Sequence, residues 1–498
     1  MSDAPLILGV SGLRGIVGES LTPEVAVRYA AAFGHWLKQR SSMHSVVVAR
    51  DGRAGGELIY HSAIAGLLGV GMDVRAVGVV TTPTAGLQVD GGIDGAIVVT
   101  ASHNPGEWNG LKLLVCEQSE SVGGVGRAPT LQEANEIIEL YQAQGYAWAT
   151  NSEAGRFCDQ GAQSAIQYHC DLIEPSIHEV LGESDGVVGV SKLRVVLDSV
   201  NSSGSVGAEK LLQRFGVQAV QLAGDDSGIF PHTPEPTKEN LSGSGGLCDA
   251  VPGLKADVGF AQDPDADRLA IVDERGEYIG EEYTLVLCAI ALLEASFIGQ
   301  PKFVVNLSTS RMIDDVAKKY NATVIRTAVG EANVVESMVA TMEKDPPVFM
   351  GGEGNGGVIW PRVGLVRDSL SGMALVLSLM ARTGKTVSEL VQMVNGLGPT
   401  DEVKSNGYTI IKKKSALAKK SDADPVVEHL RGIYDGQGDC RVDLQDGIRI
   451  DWDAKGVWAH VRASNTEPIM RVIVEAPSSA EAESVAAVID GQISSMGS

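Results

Sequence analysis

The stretch SVVVARDGRAGGELI, residues 45–59, runs an apolar strand signal into a Gly-bearing polar loop and then into a helical pattern. That is the grammar of a strand, a turn and a helix N-terminus. Two later stretches open the same way: RVVLDSVNSSGSVGAEKLL from Arg194 and KFVVNLSTSRMIDDVAKKY from Lys302. A second β-rich run follows each of the three, DVRAVGVVTTPT, VQAVQLAG and ATVIRTAVGEA in turn. A third apolar run then ends in a loop of unusual composition: TASHNP at 100–105, QDPDADR at 262–268 and GGEGNGG at 351–357. A unit of about a hundred residues thus recurs three times, and alternating strands and helices of this kind build α/β layers.

Beyond Gly396 the spacing changes. The strands GYTIIKK, GIRIDW, VWAHVRAS and MRVIVEA alternate with helices such as SAEAESVAAVIDGQI, which reads as an α+β module. The expected fold class is therefore α/β, with three similar α/β domains around a cleft (1–160, 161–274 and 275–396), each with a mixed sheet, and a C-terminal α+β domain at 397–498. Residues 116–130, CEQSESVGGVGRAPT, are polar and Gly-rich and read as a surface loop.

Composition narrows the function classes. The chain has 498 residues, 44% of them hydrophobic, and no low-complexity tract, as in ordinary globular proteins. No run approaches the ~20 apolar residues of a membrane span, and MSDAPLILGVSG has no basic region before a short apolar run; the expected location is cytoplasmic. A net charge of −23 argues against a nucleic-acid or anionic-membrane partner. Six scattered cysteines without a CxxC pair read as reduced structural thiols.

The loops carry the chemistry. In GAIVVTASHNPGEWNGLKLL, residues 95–114, a fully apolar strand delivers Ser102 to an exposed strand end. Ligand sites gather at such ends in open α/β sheets, although a serine before Asn-Pro is also ordinary turn chemistry. Asp263, Asp265 and Asp267 stand at spacing two, and on an extended loop they point to one side. Three adjacent carboxylates repel unless a cation sits among them, and all-oxygen donors suit Mg²⁺; a solvated acidic turn is the plain alternative. A helix-loop-helix calcium site fails, because Arg268 stands where the sharp turn needs Gly. In GGEGNGG, Glu353 and Asn355 lie exposed among glycines and suit sugar hydroxyls. In VRASNTEPIMRVIVEA, residues 461–476, Arg462, Ser464, Asn465 and Thr466 offer a guanidinium fork, hydroxyls and an amide of the kind that holds a phosphate. Together these residues point to a phosphorylated sugar or polyol as substrate.

In this order, TASHNP, DPDADR, GGEGNGG and RASNTEP resemble the phosphoserine, magnesium, sugar-binding and phosphate-binding loops of the α-D-phosphohexomutase family. GVSGLRGIVG with Arg14, RDGR at 50–53, NGLK with Lys112, HTPEP from His232 and VGEAN at 329–333 add to the likeness. The resemblance implies an isomerase that interconverts hexose 6-phosphate and 1-phosphate. Phosphorylated Ser102 would donate its phosphoryl group, giving a hexose bisphosphate that serves as intermediate and activator. It implies Mg²⁺ on Asp263, Asp265 and Asp267 with the Ser102 group, Arg14, Lys112 and His103 beside the reacting centre, and Arg268, Gly352, Glu353 and Asn355 on the substrate. Arg462, Ser464, Asn465 and Thr466 would hold the distal phosphate on a mobile fourth domain. The protein would act as a monomer or homodimer.

Two departures bear on mechanism and substrate. Asn355 and Gly357 stand where many relatives have Ser and His, and Glu331 where some have His, which leaves Lys112, His103 and Glu331 as proton-transfer candidates, with Lys112 favoured and His103 expected rather to order the serine loop. The GGEGNGG variant with EWNGLK is similar to phosphoglucosamine mutases and to neighbouring phosphomannomutases, and the expectation here is a phosphoglucosamine mutase. A metal-dependent phosphatase would not need a separate distal phosphate clamp, and a silent sugar-phosphate sensor would dispense with Ser102 or an aspartate.

Overall fold

A computed structural model describes residues 4–119, 123–182, 189–225, 227–295, 299–464 and 468–495. The first sheet contains β1 (Ile7–Gly9), β2 (Gly12–Ile16), β3 (Ser45–Arg50), β4 (Asp73–Val79), β5 (Gly95–Val99), β6 (Trp108–Glu117), β7 (Val125–Arg127) and β8 (Phe157–Asp159). Its order is β1-β2-β6-β5-β3-β4-β8, with β7 added on β6. Strands β3, β4 and β5 are parallel, and β6 returns antiparallel to β5. All five residues of β5 are buried, as an apolar strand covered on both faces requires.

The other two repeats have the same plan. The second sheet runs β10-β9-β11-β12, with β9 (Arg194–Asp198), β10 (Gln218–Ala223) and β11 (Val258–Gln262) parallel and β12 (Leu269–Asp273) antiparallel. The third runs β14-β13-β15-β16, with β13 (Lys302–Asn306), β14 (Thr323–Thr327) and β15 (Val348–Glu353) parallel and β16 (Gly357–Ile359) antiparallel. In each repeat the unusual loop is the link from the third parallel strand to its antiparallel neighbour. Helices Gly56–Gly69, Gly204–Arg214 and Met312–Tyr320 follow the first strand of each unit.

The fourth sheet is wholly antiparallel in its pairings. Its order is β17 (Thr409–Ala416), β21 (Ile469–Ala476), β20 (Val457–Ala463), β19 (Ile448–Trp452) and β18 (Arg441–Asp443). Strand β18 is short and polar, so its alternation gave no signal. The stretch 116–130 differs from the loop expected there: β6 continues through Glu117, and Val125–Arg127 pairs back onto it. Arg127 explains the return, since its guanidinium donates to Glu117 at 2.6 Å and to Glu133 at 2.7 Å.

One apolar core is shared by the first three sheets. It joins Val47 and Val98 to Leu197 and Phe260 and to Phe303 and Val305, through helices Ala162–Leu181, Glu281–Glu294 and Ser369–Thr383. The fourth unit has its own core, with Ile448, Ile450, Val472 and Ile489. It meets the third unit through polar contacts: Ser308 Oγ lies 2.9 Å from His460 Nδ1, Val329 N donates to Asp446 at 3.1 Å, and Arg311 N donates to Glu475 at 3.0 Å. Arg449, buried against the Trp458 ring, also donates to the carbonyls of Leu307 and Thr309.

Candidate active site

The serine loop is shaped by one buried arginine. Arg53 is held by Asp51 at 2.8 Å and donates to the carbonyls of Ser102 at 2.5 Å and Trp108 at 2.6 Å. Thr100 Oγ1 donates to Asp51 and accepts from Ser102 N at 2.9 Å. Under these ties Ser102 has φ +49, a left-handed conformation that costs a non-glycine residue about 1 kcal/mol. The result aims its hydroxyl across the cleft, where Ser102 Oγ donates to Asp263 Oδ2 at 2.8 Å. Ser102 is 2% exposed, in contrast to the exposed strand end expected from sequence, because the aspartate loop of the second sheet covers it.

That aspartate loop is a tight turn rather than an extended segment. Ala266 takes φ +53 and its N–H donates to the Asp263 carbonyl at 2.9 Å, which turns the three carboxylates inward together. Oxygens of Asp263, Asp265 and Asp267 lie within 4.8 Å of one another, and all three residues are 0% exposed. Asp265 Oδ2 accepts from Thr82 Oγ1 at 2.7 Å, and Asp267 Oδ2 accepts from Lys112 and Arg367, each at 2.6 Å. Asp265 Oδ1 and Asp267 Oδ1 are buried without a hydrogen-bond partner. Two orphaned carboxylate oxygens converging with a third carboxylate fit a hard divalent cation such as Mg²⁺.

Electrostatics agree with that fit. Burial, then Asp267 and Asp265, push the Asp263 carboxyl well above the ordinary range. Burial opposes ionisation of Asp267 as well, yet Arg367, Lys112 and Arg268 hold it below that range. Lys112 is also disfavoured as a cation by burial, but Asp267, Asp265 and Glu331 outweigh this and raise it. Burial first, and then Arg268 and Arg14, lower the His103 imidazole to about 3, so it is neutral with Nδ1 3.4 Å from Ser102 Oγ. Arg14 donates to Asn104 Oδ1 at 3.1 Å, and Arg268 N donates to Asp263 at 3.1 Å.

The sugar-type loop closes onto this cluster. Glu353, expected to be exposed, is 6% exposed because Asn306 donates to Oε1 at 2.8 Å and Arg367 to Oε2 at 2.7 Å. Asn355 is partly buried and donates to Glu353 at 3.4 Å. Gly352 lies in β15, and Gly354 packs against Glu282, whose carboxylate would lie 2.1 Å from an added Cβ. Arg462 is engaged separately, donating to Asp446 at 2.8 Å, and buried Ser464 donates its N–H to Ile469. Asn465 and Thr466 lie outside the described residues.

Arg367, Thr82 and Asn306 were not singled out by sequence reasoning. Arg367 links Asp267 to Glu353 and lies 3.3 Å from Glu331, yet as a lone Arg before Asp-Ser it carries only a helix-start signal. Thr82 sits in the TTPT run, where Thr81 caps the short helix Thr82–Gly86.

Phosphoglucomutase/phosphomannomutase domains match in order along the chain: alpha/beta/alpha domain I at residues 5–120, domain II at 183–276, domain III at 281–396 and the C-terminal domain at 413–492. A phosphoglucomutase/phosphomannomutase of Thermococcus kodakarensis is 35% identical over 483 residues, 96% of each chain. A probable phosphoglucosamine mutase of Methanopyrus kandleri is 33% identical over 475 residues, 94% of each. Among solved structures, a putative phosphomannomutase from Thermus thermophilus superposes with a TM-score of 0.73 at 22% identity, covering 97% of both chains, which speaks for the fold. No helix among the described residues is long and apolar enough to cross a membrane. Fold, ordered domains and full-length relatives agree, and the chain belongs to the phosphoglucomutase/phosphomannomutase family of α-D-phosphohexomutases, which are isomerases.

Proposed function

We propose that this phosphohexomutase interconverts glucosamine 6-phosphate and glucosamine 1-phosphate through phosphorylated Ser102 and a bisphosphate intermediate. The observation that carries the reading is Ser102 Oγ at 2.8 Å from Asp263, beside the orphaned oxygens of Asp265 and Asp267. Asp263, Asp265 and Asp267 would hold Mg²⁺, which supplies positive charge to the oxygens of the group being transferred. Phosphoryl transfer is otherwise a matter of position and charge, and the chain provides both. The left-handed Ser102 aims its oxygen at the cleft, while Lys112 and Arg14 bring cationic donors to the same place. As the bond from phosphorus to the Ser102 oxygen breaks and that to the sugar oxygen forms, the sugar hydroxyl loses a proton and Ser102 Oγ gains one.

Lys112, held as an ammonium by Asp267, serves as a charge stabiliser in place of the proton-transfer role favoured for it from sequence, and neutral His103 orders the serine loop. Closure of the fourth domain over the bound sugar phosphate would keep water from the phosphoserine. Arg268, Gly352, Glu353 and Asn355 contact the sugar phosphate, and Arg462, Ser464, Asn465 and Thr466 hold the phosphate that is not transferred. The bisphosphate then presents its other end, and Ser102 recovers a phosphoryl group. The four domains in this reading span 1–160, 161–274, 275–396 and 397–498.

Glucosamine phosphate is supported by the buried Glu353 carboxylate, a charge-assisted partner for a C2 ammonium, and by relatives at 30–33% identity named probable phosphoglucosamine mutases. A second reading rests on Arg367. A Glu353 already neutralised by that guanidinium serves hydroxyls as well as an ammonium, which favours glucose or mannose phosphate, as the name of the Thermococcus kodakarensis relative suggests. The test is 1-phosphate formation from glucosamine, mannose and glucose 6-phosphates by phosphorylated protein with Mg²⁺ and a trace of matching bisphosphate. Preference for glucosamine phosphate supports the first reading, and preference for either other sugar replaces it. Release of free phosphate in place of label exchange would turn the reading to a phosphatase.

A further inference from the structure

We propose that His169, in the helix Ala162–Leu181, is a positioning residue for the catalytic centre: it locks Thr84 of the first unit to Asp368 of the third, and so fixes the aspartate loop of the second from both sides. His169 is fully buried, with Nδ1 2.9 Å from Thr84 Oγ1 and Nε2 2.9 Å from Asp368 Oδ2. It lies far in sequence from every loop of the site, and neither its burial nor its helix requires an imidazole there; a leucine would fill apolar space without needing two polar partners.

What its two partners flank gives it a role. Two residues before Thr84, Thr82 donates its hydroxyl to Asp265 Oδ2 at 2.7 Å and its N–H to the Asp265 carbonyl at 2.9 Å. On either side of Asp368, Arg367 donates to Asp267 Oδ2 at 2.6 Å and Ser369 Oγ donates to the Ala266 carbonyl at 2.7 Å. Residues 265 to 267 are therefore gripped from the first unit by Thr82 and from the third by Arg367 and Ser369. The grip is only as exact as the placement of those two segments. Thr84 is tied to Thr81 Oγ1 at 2.7 Å, and Asp368 caps its helix by accepting from Leu370 N at 2.9 Å, so each partner is rigid within its own unit. Through His169 those two rigid pieces are held to each other. Thr82, Arg367 and Ser369 orient the ligands directly, and His169, which touches none of the aspartates, acts one step further out by placing the segments that carry them.

This inference rests on the reading of the three aspartates as a cation site, and the experiment separates the two. Mg²⁺ binding to dephosphorylated full-length protein is measured by calorimetry without substrate, alongside kcat, KM and melting temperature. The variants are His169→Leu and the milder Thr84→Val, which keeps shape while removing the hydroxyl that meets His169 and Thr81. We expect Mg²⁺ affinity to fall about threefold in both, less than the ~10-fold of a group bonded to a ligand itself, with kcat reduced to a similar degree and KM for hexose phosphate within about twofold of wild type. His169→Gln, which restores a polar group on the Asp368 side, recovers part of the affinity. A lowered melting temperature with unchanged Mg²⁺ affinity in Thr84→Val and His169→Gln overturns the positioning role and leaves the cation site standing. Failure of the wild type to bind Mg²⁺ overturns both.

Discussion

At the scale of single residues, the hydroxyl of Ser102 has a role that no neighbour duplicates. Ser102→Ala is expected to abolish mutase turnover while costing about 1–3 kcal/mol of stability, since it leaves the buried Asp263 oxygen without its donor. Near wild-type turnover in a coupled assay would rule out the covalent route. Asp265→Asn removes a buried carboxylate that faces two others, so melting without Mg²⁺ falls by little, whereas Mg²⁺-dependent turnover drops by at least about tenfold. His232 lies outside this cluster and gives a pH signature. Its hydrogen bond to Asp198 raises the imidazole above its usual 6.5. The folded protein thus binds the proton more tightly than the unfolded chain, and the stabilisation is complete below pH 6.5 and lost as pH rises through the raised value. The cost of His232→Gln in denaturant melts, under about 1 kcal/mol, is expected at pH 6 and to vanish by pH 9.

At the scale of elements, the strands were legible because their burial writes itself into sequence. Val46 to Ala49, Val195 to Leu197 and Phe303 to Val305 are apolar runs covered on both faces, and the three unusual loops at their sheet ends stood out by composition. Contacts between elements were not legible. Arg367, Thr82 and His169 act across the gaps between units, and nothing in their flanking residues specifies a partner a hundred or more positions away. The burial of Ser102 departs from the sequence expectation for the same reason, since Asp263 of the second unit covers it, whereas Glu353 is covered from within its own unit by Arg367 and Asn306. The serine loop also needs bare backbone beside it. In β6 a Cβ on Gly110 would lie 2.2 Å from the Leu13 carbonyl and 2.9 Å from that of Thr100. Gly110→Ala is expected to cost about 1–3 kcal/mol in equilibrium unfolding and to lower turnover by moving Thr100, whereas Gly106→Ala, which meets nothing within 4 Å, stays within about 0.5 kcal/mol.

At the scale of the molecule, the first three units share one apolar core and the fourth has its own, joined to the third mainly by polar contacts, with Leu397 and Tyr408 packed on the shared core. Polar junctions yield to water more easily than apolar ones, so calorimetry is expected to record two transitions, and Asp446→Ala to lower the first while leaving the second in place. A single transition at all scan rates would show that the fourth unit is thermally inseparable from the rest. The three repeats have a consequence of another kind. Each sheet places its distinctive loop at the same topological position, between its third parallel strand and the antiparallel one beside it, and each loop bears a different chemical character: a hydroxyl, a set of carboxylates, a carboxylate with an amide. Three copies of one plan thus keep three kinds of chemistry on separate pieces of chain, so that a substitution in the third loop leaves the hydroxyl of the first and the carboxylates of the second in place.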